Sequence, residues 1–201
     1  MEFVKDFATF LHQKEAIKFG DFTLSSGKKS SYYVDLRLTS SYPLIFRKMI
    51  KQLQQVISDE IGFDNFDSLV TVPTGGLVVT SALAFETLKP LIYVRNKPKE
   101  HGTSKNIEGL TCSGMKVLMI DDVATTGGSV LNGIKILKDA GVNITDAYVI
   151  VNRMEGAGSK LQSEGVKLHQ LTDILEIATV LHQSNLIGED ILDKVKNQVN
   201  K

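Results

Sequence analysis

Two periods of apolar residues run along this chain, and the points where one gives way to the other mark its elements. MEFVKDFATFLHQ at the start sets Phe3, Phe7, Phe10 and Leu11 at helical spacing among charged residues, which predicts an amphipathic surface helix. FTLSSGKKSSYYVDLR (22–37) mixes β-formers with a Ser-Ser-Gly-Lys-Lys-Ser turn and predicts two short strands around a polar loop. Residues 43–61 return to the helical period: Pro43 suits a first turn, and Leu44, Phe46, Ile50, Leu53 and Ile57 form an apolar stripe.

Beyond that point short apolar runs alternate with helical stretches. SLVTVP (68–73), PLIYVR (90–95), KVLMID (116–121) and ITDAYVIVNR (144–153) are predicted strands. LVVTSALAFETL after Gly75-Gly76, and SVLNGIKILKDAG closed by Gly141, are predicted helices. Strands that are apolar on both faces and separated by helices imply an α/β fold, a parallel sheet flanked by helices. Such sheets bind ligands at the carboxyl ends of their strands, so the loops after Pro73, Arg95, Asp121 and Val151 are expected on one edge. The tail, 172–201, predicts two further helices: TDILEIATVL capped by Thr172 or Asp173, and EDILDKVKNQV with Ile191, Leu192, Val195 and Val199 on one face. No repeat or linker divides the sequence, and 201 residues suit a single domain spanning 1–201.

Charge removes several function classes. Lysine plus arginine balance aspartate plus glutamate at 23 each, so no net positive field draws the chain to nucleic acid or an anionic membrane. Nowhere do about 18 apolar residues run together, so no membrane span is expected. The single cysteine, Cys112, forms no internal disulfide or zinc cluster, is read as a bystander, and fits a reducing, cytoplasmic setting. His12, His101, His169 and His182 lack the spacing of zinc ligands.

The candidate chemistry concentrates in VLMIDDVATTGG (117–128), where a buried strand meets two carboxylates and then a loop of small residues. Small residues before a helix leave backbone N–H groups open, and the helix end adds partial positive charge, which makes a seat for phosphate. Thr125 and Thr126 add hydroxyl donors, while Gly127 and Gly128 permit left-handed angles and close approach. Asp121 and Asp122 would repel a bare phosphate, but they suit ribose hydroxyls or a magnesium ion held largely through water. The competing reading is that both aspartates simply cap the loop and helix. Gly75 and Gly76, also between strand and helix, offer a second anion seat or merely a tight turn. A Walker loop is excluded because Ser129, not lysine, follows Gly128, and no G-x-G-x-x-G opens a helix after a strand.

In this setting VLMIDDVATTGGS resembles the phosphoribosyl pyrophosphate (PRPP) signature of type I phosphoribosyltransferases. FGDFTLSSGKKSSYYVDLR, VRNKPKEHGTSKNIEG and VNRMEG, in the same order along the chain, resemble the orotate-specific branch of that family. The resemblance implies the type I phosphoribosyltransferase fold with a small N-terminal hood over approximately residues 1–40. It implies transfer of the phosphoribosyl group from PRPP to orotate in pyrimidine (UMP) synthesis, with Mg2+ as cofactor and no firm protein ligand to the metal.

Residue by residue, the resemblance places Asp121 and Asp122 on the ribose and its metal-bound surroundings, and Val123, Ala124, Thr125, Thr126, Gly127, Gly128 and Ser129 around the 5′-phosphate. Arg153 corresponds to the partner of the orotate carboxylate, with Thr125, Lys28 and Tyr33 near the base and Thr74, Gly75 and Gly76 at the pyrophosphate. Of Tyr32 and Tyr33, strand alternation allows only one to face the base. The charged stretch RNKPKEHG corresponds to a catalytic lid that reaches the partner's site in a homodimer, with Arg95, Lys99 and His101 at its functional positions. Cations and a proton donor carried by a lid suit the departure of pyrophosphate.

Three family lysines are replaced: Asn96 follows the lid arginine, Ser25 precedes the Ser-Gly of the N-terminal loop, and VPTGGLVV lacks a lysine, with Lys28, Lys29 and Lys97 nearby. Two alternatives stand beside the orotate reading. One is a phosphoribosyltransferase for a purine, against which Arg153 argues; the other is a non-catalytic PRPP-sensing regulator, against which the neutral charge and the lid argue.

Overall fold

The first turn of sequence after the start winds into α1 (Glu2–Gln13), which buries Val4, Phe7, Ala8 and Leu11 and leaves its acids in solvent. A hairpin follows, β1 (Ile17–Thr23) antiparallel to β2 (Lys29–Val34), and forms a two-stranded sheet of its own. A 3₁₀ segment, Leu36–Ser41, then leads to α2 (Pro43–Glu60), with Pro43 in its first turn as expected. The computed structural model of the chain describes residues 2–23, 27, 29–95 and 106–200.

The apolar runs assemble the main sheet from β3 (Ser68–Thr71), β4 (Leu91–Val94), β5 (Ile107–Glu108), β6 (Lys116–Ala124), β7 (Asn143–Asn152) and β8 (Lys167–Asp173). Their order is β5-β4-β3-β6-β7-β8, parallel throughout except for the short antiparallel pairing of β5 on β4. Crossovers run through α3 (Gly75–Thr87), α4 (Gly128–Asp139) and α5 (Ala157–Ser163), and the chain closes with α6 (Ile174–Gln183) and α7 (Glu189–Val199).

Alternation along the strands divides the core in two. Val70, Val72, Ile92, Val94, Val117 and Met119 face Val130, Ile134 and Leu137 of α4. Leu69, Leu118, Ile120, Tyr148 and Ile150 face the other way, where α1, α2, α3, α6 and α7 supply Phe7, Leu53, Leu83, Ile177 and Val195. Both faces are thus covered, which is the condition under which a parallel sheet can be apolar on both sides.

The structure departs from the sequence expectations in four places. β6 does not stop at Asp121: Asp121, Val123 and Ala124 still pair with Val149, Val151 and Asn152 of β7, so both aspartates lie within a strand. α5 and β8 were not anticipated, because KLHQLTD is mostly polar and its burial comes from docking beside β7. Thr172 belongs to that strand, and Asp173 alone caps α6 by accepting from the Glu176 backbone N–H. Leu44 sits on α2 yet is 84% exposed, while Met49, Ile50, Leu53 and Ile57 carry the buried face.

A polar cluster ties α2 to the sheet. His169 lies between two carboxylates, with Nδ1 2.9 Å from Glu60 Oε2 and Nε2 2.7 Å from Asp146 Oδ1, and its ring stacks on Tyr148 at 4.4 Å. The Tyr148 hydroxyl donates to the same Glu60 oxygen at 2.7 Å. Burial, and then Glu60, push the Tyr148 hydroxyl pKa up, so it remains a donor. His169→Ala should remove the ring that bridges Glu60 and Asp146 and lower stability by about 2 kcal/mol. That corresponds to a loss of about 4–8 °C in Tm at this chain length. Thermal unfolding checks it, and an unchanged midpoint would show the cluster to be ornamental.

Candidate active site

A cavity of about 600 Å³ opens at the carboxyl edge of the sheet, between the β1–β2 hairpin and the segment that joins β6 to α4. The hairpin contributes Thr23 and Tyr33, the 3₁₀ segment contributes Arg37, β6 contributes Asp121, and Arg153 stands just beyond the end of β7. The floor is the run from Val123 to Val130.

That floor is an anion seat by construction. The first N–H groups of α4 have no partner within the helix and point out of its end, where the helix dipole is positive. Gly127 caps the helix at φ +72°, and an added Cβ would stand 3.0 Å from Leu161 Cδ1 and 3.2 Å from Ala157 Cα. Gly128 differs from the sequence expectation: it is not left-handed, and a Cβ there would meet no protein atom closer than Thr126 Oγ1 at 3.9 Å. No contact among the described residues demands a glycine at 128, whereas close approach of a ligand to the backbone would.

Beside the seat, the two aspartates crowd the start of α3. Asp122 N–H donates to Asp121 Oδ1 at 2.9 Å. A Cβ on Gly75 would lie 2.0 Å from Asp122 Oδ2, and one on Gly76 would lie 2.4 Å from Asp121 Oδ1 and 2.5 Å from Thr71 Oγ1. The glycine pair is therefore the condition for bringing a helix N-terminus against two carboxylates. Asp121 lines the cavity, and Asp122 turns to Gly75 instead. Burial, reinforced by the neighbouring Asp122, raises the Asp121 carboxyl well above the ordinary carboxylate range. Its ionised form is the one that gains most from hydroxyl donors or a cation.

Arg153 occupies the far wall, 5% exposed. Its backbone N–H donates to the Ala124 carbonyl at 2.9 Å, which fixes it to the end of β6. Its Nη2 pairs with Glu155 Oε1 at 2.8 Å and donates to Ser30 Oγ at 3.1 Å, and its guanidinium lies 5.0 Å over the Tyr32 ring. Its Nε is buried without a hydrogen-bond partner among the described residues. A buried guanidinium N–H without an acceptor is costly, and a planar anion in the cavity would satisfy it.

The expected alternation holds at the hairpin: Tyr32 is buried in the core and Tyr33 is half exposed on the cavity wall. Arg95 follows the last residue of β4, its Nη1 pairs with Glu108 at 3.1 Å, and it does not line the cavity. Thr74 precedes α3 without a side-chain capping bond. Lys28, Lys99 and His101, together with Ser25, Asn96 and Lys97, lie outside the described residues.

Sequence reasoning missed Arg37 and the residues that hold Arg153. Arg37 is gripped by Asp35 through two hydrogen bonds of 2.8 and 2.6 Å, which hold the Asp35 carboxyl below its usual range. The available signal was an acid two residues from an arginine, seen in Asp35/Arg37 and again in Arg153/Glu155.

Two substitutions test this geometry. For Asp121 the folded pKa lies above the unfolded value, so this group favours the fold at acid pH and the contribution is lost as pH rises through the raised value. Asp121→Asn, measured at neutral pH without ligand or magnesium, should stabilise the chain by on the order of 1 kcal/mol. The corresponding rise in Tm is about 2–4 °C, and it should shrink toward acid pH; a lower Tm would contradict the crowding of the carboxylates. Gly76→Ala should cost about 1–3 kcal/mol through overpacking against Asp121 and Thr71, read by denaturant unfolding.

Comparison with known proteins agrees with this architecture. The phosphoribosyl transferase domain family matches residues 41–183. The orotate phosphoribosyltransferase of Cenarchaeum symbiosum is 50% identical over 198 residues, covering 98% of this chain and 99% of that protein. The crystal structure of orotate phosphoribosyltransferase from Aeropyrum pernix aligns at 35% identity with a TM-score of 0.77, over 90% of this chain and 99% of that one. The structure of Leishmania donovani UMP synthase aligns over 98% of this chain with a TM-score of 0.83 at 29% identity, and the chain spans 42% of that longer protein. With a cavity built from an anion seat, a strand aspartate and a buried arginine, on a fold and sequence shared across nearly the whole chain, this protein belongs to the orotate phosphoribosyltransferase family within the phosphoribosyl transferase domain family.

Proposed function

We propose that the chain transfers the 5-phosphoribosyl group of PRPP to orotate, yielding orotidine 5′-monophosphate and pyrophosphate. One observation carries the reading: a single cavity holds the α4 anion seat, the Asp121 carboxylate and Arg153, a buried arginine with an unpartnered Nε. A purine offers no carboxylate to that arginine. Orotate does.

In this reading the backbone N–H groups and hydroxyls from Val123 to Ser129 hold the 5′-phosphate. Asp121 and Asp122 accept from the ribose hydroxyls. N1 of orotate bonds to C1′ as the C1′–O bond to pyrophosphate breaks; the electron pair leaves with the pyrophosphate, and the proton given up by N1 is balanced by the one that the freed pyrophosphate oxygen takes up. Positive charge developing on the ribose faces the two carboxylates, which stabilise it more than they stabilise the ground state. Arg153 pairs with the orotate carboxylate, with Tyr33, Thr125 and Lys28 around the base. Thr74, Gly75 and Gly76 receive the pyrophosphate at the α3 N-terminus. Arg95, Lys99 and His101 of the lid neutralise it and supply a proton. Hard carboxylate oxygens beside a diphosphate fit magnesium, which Asp121 and Asp122 would hold mainly through water and which, when bound, offsets the pyrophosphate charge.

The working unit in this proposal is a cytoplasmic homodimer, with the β1–β2 hairpin as a hood and each lid serving the partner's site. α3 supports the dimer: GGLVVTSALAFET is apolar nearly all round, yet Val78 and Phe85, seven residues apart on one helical face, are 41% and 82% exposed. A helix without a polar face needs cover on every side. The exposed Cys112 fits a reducing compartment.

Purified protein given PRPP and magnesium should release pyrophosphate with orotate and not with uracil, adenine or hypoxanthine. Turnover with a purine alone would overturn the assignment, and turnover with no base would favour the sensing alternative. Phe85→Glu should shift the chain from dimer to monomer in light scattering and reduce turnover, because each lid loses the site it serves.

A further inference from the structure

We infer that Gln198, on the last turn of the C-terminal helix, is a positioning residue for base recognition: it holds Ser30 and Glu155, and through them fixes the guanidinium of Arg153. The inference rests on Arg153 being the partner of the orotate carboxylate, and it adds a residue more than forty positions away in sequence.

The contacts form a closed set. Gln198 Oε1 accepts from both the Ser31 N–H and the Ser31 hydroxyl at 2.7 Å. Because a backbone N–H can only donate, the amide is fixed the right way round, with Nε2 on the other side. Nε2 donates to Ser30 Oγ at 3.0 Å and lies 3.5 Å from Glu155 Oε1. Ser30 Oγ in turn donates to the Tyr32 carbonyl at 2.8 Å and accepts from Arg153 Nη2 at 3.1 Å. The serine hydroxyl gives its one proton to the Tyr32 carbonyl, and its two lone pairs are shared among Arg153 Nη2, Gln198 Nε2 and the longer approach of the Tyr32 N–H at 3.3 Å.

Arg153 is consequently held from three directions. Glu155 and Ser30 take Nη2, and the Tyr32 ring lies under the guanidinium plane. The Tyr32 hydroxyl donates to the Arg153 carbonyl at 2.8 Å, which pins the backbone of the same residue. What is left for a ligand is the unpartnered Nε and the remaining edge of the fork. A guanidinium oriented before binding loses less entropy when it grips a planar carboxylate. Removing Gln198 takes one donor from Ser30 and one neighbour from Glu155, leaving both to Tyr32 and Arg153, so the guanidinium is aimed less firmly.

The test compares Gln198→Ala and Gln198→Glu with wild type, varying orotate and PRPP separately. Both variants should raise the KM for orotate about tenfold, the scale of one lost hydrogen bond on a charged group. The kcat and the KM for PRPP should stay within about twofold. Gln198→Glu keeps the acceptor for Ser31 while it removes the donor to Ser30 and sets a second carboxylate beside Glu155, so it disturbs the Arg153 cluster and leaves the tie between α7 and β2. If Gln198 merely tied α7 to β2, this variant would behave as wild type, and the inference would fall. Ser30→Ala should reproduce the orotate effect, and the Ser30→Ala/Gln198→Ala double variant should lose less than the product of the two singles. Asp193→Ala, an exposed position on the same helix, serves as the unaffected control. Equal losses toward both substrates would overturn the positioning role. A wild-type protein that does not turn over orotate would instead overturn the functional reading beneath it, and the inference with it.

Discussion

At the carboxyl end of β6 two carboxylates meet the N-terminus of α3 with no side chain between them, and the surrounding site is arranged about that contact. Gly75 and Gly76 make it possible, since any Cβ would overlap the aspartates or Thr71. Burial and mutual repulsion leave the Asp121 carboxyl poorly stabilised in the free protein. A ligand with hydroxyl groups and an accompanying cation would relieve that unfavourable electrostatics. In the proposed reading, binding would draw on the same crowding that costs the free fold stability.

A second principle governs the opposite wall, where one edge of the Arg153 guanidinium is held and its Nε has no partner among the described residues. Arg153 is stacked, paired and hydrogen-bonded by side chains from β2, α7 and its own segment, so its free Nε has a fixed direction. The anion seat between them works differently, with backbone N–H groups and Gly128 open to the cavity. Rigid side-chain recognition at one end and backbone recognition at the other suit a ligand pair in which a base carries a carboxylate and a sugar carries a phosphate.

The helices divide their labour in the same way. α4 presents its N-terminus to the cavity while its body fills one face of the sheet. α3 brings its N-terminus to the aspartates and leaves Val78 and Phe85 exposed on its outer face. α7, the last element of the chain, packs into the core through Leu192 and Val195 and reaches the site through Gln198.

The sequence alone determined the strands with long apolar runs, the amphipathic helices and the glycine loop that opens α4, because these follow from period, capping and glycine placement within a few residues of one another. It also carried the family resemblance, which the comparisons support across 98% of the chain. Only the tertiary structure decided that β6 runs past Asp121 and Asp122, since pairing with β7 extends it, and that KLHQLTD is a strand, since a mostly polar segment becomes β by docking at a sheet edge. It alone brought Ser30, Arg153, Glu155 and Gln198 together. A hydrogen bond between residues 168 positions apart leaves no period and no local motif in the sequence, because its geometry exists only after the sheet, the hairpin and the last helix have packed.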